Sequence, residues 1–90
     1  MDIADAREKI DALDGQIGML LGRRFELTDA IGREKAAAGA AVRDEARENA
    51  VLEKAAAAAG EEYSDSVREV YAAILGQSRA RQEKTAEENK

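Results

Sequence analysis

The chain has 90 residues and a formal net charge of −5, with no proline, cysteine or histidine. That length allows one small domain, and the missing residue types exclude disulfides, thiolate nucleophiles, imidazole bases and the usual zinc ligands. The negative charge argues against a nucleic-acid binder, and no apolar run is long enough to span a bilayer, so no membrane role is expected.

Alanine, leucine, glutamate, lysine and arginine dominate, which is a helical composition and predicts an all-α fold. A chain this short buries only a thin core, so association with a second copy is a natural way to gain one. The opening Met1-Asp2-Ile3-Ala4-Asp5 is acidic and lacks the apolar segment of a signal peptide, so a cytoplasmic protein is the expectation.

The first predicted element is a long helix from Ile3 to Ala38. Ile10, Leu13, Ile17, Leu20, Arg24, Leu27 and Ile31 recur at alternating steps of three and four, the spacing of one helical face. Gly39 closes it, because glycine accepts the left-handed conformation of a helix end. Arg24 is the odd member of this seam, since a guanidinium keeps its charge and its burial requires an anion. Gly15, Gly18, Gly22 and Gly32 each cost about 1 kcal/mol relative to alanine inside a helix. They are either tolerated by packing or, at Gly15, Gly18 and Gly22, allow another helix to approach closely. A helix this long also suits a coiled coil or an intersubunit rod.

The second predicted helix runs from Glu45 to Ala59, with Asp44 as its N-cap and Gly60 as its stop. Its apolar face is Val51, Leu52, Ala55 and Ala59, and Glu48 shares the side of Leu52. The third runs from Asp65 to Gln82 with Ser64 as N-cap. Val67, Val70, Tyr71, Ile74 and Leu75 form its stripe, and steps of four from Ile74 reach Ser78 and Gln82. Residues 1–82 thus form one helical domain. The tail from Glu83 to Lys90 has no apolar periodicity and is expected to be disordered.

Polar residues therefore fall where internal faces are expected: Arg24, Glu48, Ser78 and Gln82, with Lys35 after the seam's end and Arg7 before its start. Arginines, a lysine, a glutamate, a serine and a glutamine suit a small ligand bearing carboxylates and hydroxyls. Each residue also has a plainer reading: surface arginine for Arg7, register-setting for Arg24, helix-dipole partner for Lys35, cap for Asp44, surface ion pair for Glu48, and helix fraying for Ser78 and Gln82.

The order of these residues resembles the all-helical chorismate mutases. Arg7-Glu8-Lys9-Ile10 with Leu13-Asp14 is similar to that family's opening pattern. Leu20-Leu21 with Arg24, and Ile31-Gly32 with Lys35, continue it along the first helix. Val42-Arg43-Asp44 with Arg47-Glu48 resembles the start of its second helix, and Ser78 with Gln82 its close. Each motif is weak alone, but together and in order they cover about Asp5 to Gln82. Ala41 departs from the pattern, because relatives commonly carry proline there. The alanine-rich run before it implies a looser loop beside Lys35.

The resemblance implies conversion of chorismate to prephenate, an intramolecular Claisen rearrangement on the route to phenylalanine and tyrosine. Such a reaction needs no nucleophile, proton shuttle, metal or other cofactor. The protein restricts the substrate's conformation and places cations where the ether oxygen gains charge. By resemblance, Arg7 and Arg24 grip the two carboxylates, while Lys35 and Gln82 donate to the ether oxygen. Glu48 accepts from the ring hydroxyl with Asp44 nearby, Ser78 donates to a carboxylate, and Arg47 assists through packing or its backbone. The rival readings are an isochorismate pyruvate-lyase on the same scaffold, and a helical regulatory module for an aromatic-pathway partner enzyme. Glu48 favours the mutase over the lyase.

One length sets the expected assembly. At about 1.5 Å per residue, Arg7 and Arg24 lie roughly 26 Å apart along a straight helix, while Arg24 and Lys35 lie roughly 17 Å apart. If Arg7 serves the site, it comes from a second, antiparallel chain whose helix crosses near residues 15 to 21. The expected fold is therefore three helices per chain, one long, one short and one medium, in an intertwined antiparallel homodimer.

Overall fold

The computed structural model describes residues 1–88. Helix α1 spans Ile3–Ala38, α2 spans Glu45–Ala59, and α3 spans Ser64–Glu88, with a single 3-10 turn at Glu61–Tyr63 before α3. All four elements are helical, and no strand occurs among the described residues.

The ends of α1 and α2 are set by local chemistry. Asp2 caps α1, its Oδ1 accepting from the Ala4 amide at 2.9 Å. Gly39 closes α1 at φ 67°, where its amide donates to the Ala36 carbonyl and the Ala40 amide to Lys35 at 2.8 Å. Asp44 caps α2, its Oδ1 accepting from the Arg47 amide at 3.0 Å. Gly60 ends α2 at φ 88°.

The third helix departs from expectation at both ends. Ser64 is not an N-cap. It is already helical, and its hydroxyl donates back to the Glu61 carbonyl at 3.1 Å, joining the 3-10 turn to α3. At the other end α3 does not stop at Gln82, and Glu83 to Glu88 are helical rather than disordered. Gln82 is buried against α1, and Arg81 is ion-paired to Asp29 at 2.7 Å, so the preceding turn is fixed and the helix propagates from it. The last two residues of the expected tail lie outside the described residues.

Helix α3 packs against both α1 and α2, while α1 and α2 do not pack on each other. A gap is left between α1 and α2 with α3 as its floor. Helix α3 presses tightly on α1 at Gly32, where an added β-carbon would lie 2.7 Å from Cγ of Gln82. Gly15, Gly18 and Gly22, by contrast, have nothing within 4 Å of such an atom among the described residues.

The core is thin. Among the described residues, Ala56 and Leu75 are the buried apolar side chains. Ile10, Leu13, Ile17, Leu20, Leu27 and Ile31 of the α1 seam are half exposed or more, so the seam is not covered within the chain. The radius of gyration is 16.1 Å, against about 12 Å for a compact globule of this length. The excess reflects α1, whose 36 residues at about 1.5 Å each nearly account for the 55 Å long axis.

Candidate active site

The gap between α1 and α2 is a cleft of about 140 Å³. Helix α1 contributes Arg24, Thr28, Ile31 and Lys35. Val42, Asp44, Arg47, Glu48 and Val51 come from α2 and the turn before it, and Leu75, Ser78, Arg79 and Gln82 from α3. Seven of the eight residues expected from the sequence therefore share one cavity: Arg24, Lys35, Asp44, Arg47, Glu48, Ser78 and Gln82. Arg7 is exposed, near the far end of α1, and does not line it.

Arg24 is held from two sides. Its Nη1 donates to Ser78 Oγ at 3.2 Å, and its guanidinium lies 5.8 Å from the Tyr71 ring centroid, a cation–π distance. Ser78 in turn donates to the Ile74 carbonyl at 3.1 Å. Its one proton is thus directed into its own helix, and its hydroxyl oxygen orients Arg24. The anion expected beside a buried Arg24 is not found: Arg24 stays partly exposed, and among the described residues no carboxylate lies within ion-pair distance of it.

Lys35 reaches across the α1–α2 turn, its Nζ donating to the Val42 carbonyl at 2.8 Å. Two of its three hydrogens remain for a ligand. Gln82 donates from Nε2 to the Thr28 carbonyl at 2.6 Å, which leaves one amide hydrogen directed elsewhere. Ser78 and Gln82 are buried at 6% and 7% exposure, so neither belongs to a fraying helix end. Asp44 spends one oxygen on its cap and lines the cleft with the rest of its side chain. Arg47 supplies the capped amide and also lines the cleft.

Glu48 is ion-paired, Oε1 accepting from Arg79 Nη1 at 2.6 Å. Arg79 is the charged cleft residue that sequence reasoning missed, and Thr28 went unnamed as well. Counting by fours from Ile74 reaches Ser78 and Gln82, but counting from Leu75, the buried member of the stripe, reaches Arg79. Both rows face inward because three- and four-residue steps share a helix face.

The cleft's side chains carry Arg24, Lys35, Arg47 and Arg79 against Asp44 and Glu48, an excess of positive charge in a protein that is negative overall. Of these cations, Arg24, Lys35 and Arg47 make no ion pair among the described residues. The arrangement fits a small anion with more than one carboxylate. The chorismate mutase type II family model matches residues 6–83, most of the chain. The chain belongs to this family.

The match includes every residue of the chorismate mutase-like cleft and also Arg7. No curated protein and no solved structure matches the chain. Among the described residues there is no group of carboxylates arranged to hold a metal ion, and no helix long and apolar enough to cross a membrane.

Proposed function

We propose that the protein is a chorismate mutase, an isomerase that rearranges chorismate to prephenate. The observation that carries this reading is the convergence of Arg24, Lys35, Glu48, Ser78 and Gln82 from three helices on one cleft. In the reaction one carbon–oxygen bond breaks and one carbon–carbon bond forms within the same molecule. The cleft's residues suit such a step. Arg24, oriented by Ser78 and Tyr71, binds a carboxylate and holds the enolpyruvyl group over the ring. Lys35 and Gln82 direct their remaining hydrogens to the ether oxygen, whose negative charge grows as its bond to the ring carbon lengthens. Glu48 accepts from the ring hydroxyl, and Asp44 and Arg47 complete that wall. No residue acts as nucleophile or general base.

The second carboxylate is assigned to Arg7 of a second copy of the chain. Several observations support this assembly. α1 is one continuous helix from Ile3 to Ala38, so the roughly 26 Å between Arg7 and Arg24 cannot close within it. The seam of Ile10, Leu13, Ile17 and Leu20 is uncovered, and a groove lined by Leu20, Leu21, Val67, Val70, Tyr71 and Ile74 continues from it. Open space over Gly15 and Gly18 lets a crossing helix approach. The functional unit is then an intertwined antiparallel homodimer with two shared sites.

Absorbance loss of chorismate on addition of the purified protein, with prephenate as product, tests the reaction. Pyruvate released from isochorismate, with chorismate untouched, would replace it by the lyase reading. No turnover of either substrate would leave the regulatory reading, in which the chain serves an aromatic-pathway partner enzyme.

A further inference from the structure

Among the described residues, Arg79 is the one cation of the cleft that is paired, and its partner is the residue assigned to the ring hydroxyl. The Arg79–Glu48 contact joins α3 to α2 at 2.6 Å, with the two side chains 28% and 19% exposed. The pair stands as the wall between two cavities. On one side is the cleft that holds Arg24, Lys35 and Gln82; on the other is a second cleft bordered by Arg43, Glu45, Asn49 and Leu52. Only Oε1 of Glu48 is bonded to Arg79; among the described residues Oε2 accepts no hydrogen bond.

Two physical problems meet at Glu48. A glutamate side chain has three rotatable bonds, and an acceptor that must meet one hydroxyl works best when held in place beforehand. A carboxylate beside a ligand with two carboxylates of its own also repels it, the more so where water is partly excluded. An arginine bound to one oxygen answers both, because it fixes the side chain and offsets the charge while the other oxygen stays free.

We propose that Arg79 is a positioning residue for hydroxyl recognition: it holds Glu48 by one oxygen and screens its charge from the substrate's carboxylates, leaving the other oxygen to accept from the ring hydroxyl. This rests on the reading of the cleft as a chorismate site. Arg79 touches no reacting atom, so its effect passes through Glu48 and falls on substrate binding more than on the bond-making step.

A double-mutant cycle on the full chain tests this, with Arg79→Met, Glu48→Ala and the double variant assayed on chorismate beside the wild type. Arg79→Met is expected to raise KM about tenfold, the size of one charge-assisted contact, with a smaller change in kcat. In the Glu48→Ala background the same change is expected to shift KM less than about twofold, because the group through which Arg79 acts is gone. A purely structural ion pair would instead lower the unfolding temperature and the active fraction while leaving KM in place. Losses that multiply in the double variant, or an unchanged KM in Arg79→Met, would overturn the role of Arg79 while the mutase reading stands. Absence of wild-type turnover would overturn the mutase reading and this inference with it. If Arg79→Met does not fold by circular dichroism, Arg79→Lys takes its place in the cycle, with a smaller rise in KM expected and the same outcomes deciding.

Discussion

Gln82 lies directly on Gly32, so close that a β-carbon there would sit 2.7 Å from its Cγ. The contact seats α3 on α1 and places the Gln82 amide at the Thr28 carbonyl, inside the cleft. Alanine is preferred to glycine within a helix by about 1 kcal/mol. Gly32→Ala is nevertheless expected to destabilise the protein by about 1–3 kcal/mol, because the displaced residue is tightly packed. It should also lower activity by moving Gln82. Urea unfolding with a parallel chorismate assay checks both, and a more stable, fully active variant would show that the crossing adjusts freely.

Lys35→Ala is expected to lower kcat about a hundredfold or more, with the helical content unchanged. A cation facing a developing oxyanion acts mainly in the transition state. Lys35 also holds the Val42 carbonyl, so circular dichroism and sedimentation should accompany the kinetics. Wild-type turnover by the folded variant would remove Lys35 from the reaction.

Gln82→Glu should convert a flat pH profile into one that rises towards acid. A carboxylic acid has one proton to donate, and it can reach the ether oxygen only while protonated, whereas a carboxylate can donate to neither that oxygen nor the Thr28 carbonyl. Turnover measured across pH 4 to 8, roughly the range in which a buried carboxyl titrates, tests this. A profile matching the wild type would contradict the donor role of Gln82.

The α1–α3 contact carries its own pH signature. Two hydrogen bonds from Arg81, at 2.9 and 2.7 Å, hold the Asp29 carboxyl below its ordinary range, aided by the charges of Arg81 and Arg33. A carboxyl depressed in the folded state adds stability above its unfolded pKa and loses it as pH falls through the folded value. Between about pH 6 and about pH 3 the wild type should therefore lose more stability than Asp29→Asn. Urea midpoints at both pH values measure the difference, and equal losses would show the pair to be without energetic effect.

Arg7→Ala and Lys35→Ala should each be inactive alone yet recover activity when mixed and allowed to exchange subunits. In a mixed dimer, the chain with intact Lys35 receives intact Arg7 from its partner, while the other site collects both lesions. Random exchange at equal amounts restores about a quarter of the wild-type sites. No recovery despite verified exchange would sink the shared site.

The sequence by itself determined the α1 and α2 boundaries, since periodicity, Asp44, Gly39 and Gly60 act within a turn or two of where they stand. It also named seven of the cleft residues: Arg24, Glu48, Ser78 and Gln82 from inward-facing helical spacing, Lys35 from its place after the seam, and Asp44 and Arg47 through the family resemblance alone. Tertiary structure decided the remainder. The Arg79–Glu48 pair joins positions 31 apart and the Gln82–Thr28 bond positions 54 apart. Contacts at such separations depend on where helices cross, which no local pattern encodes. The sequence points to close approach at Gly15, Gly18 and Gly22, whereas within the chain it is Gly32 on which α3 presses. Glu83 to Glu88 lack periodicity and yet are helical, because the Arg81–Asp29 pair and buried Gln82 anchor the turn before them. The seam of α1 was legible as apolar, but only the packed chain leaves it uncovered, since α3 engages α1 chiefly along its C-terminal half.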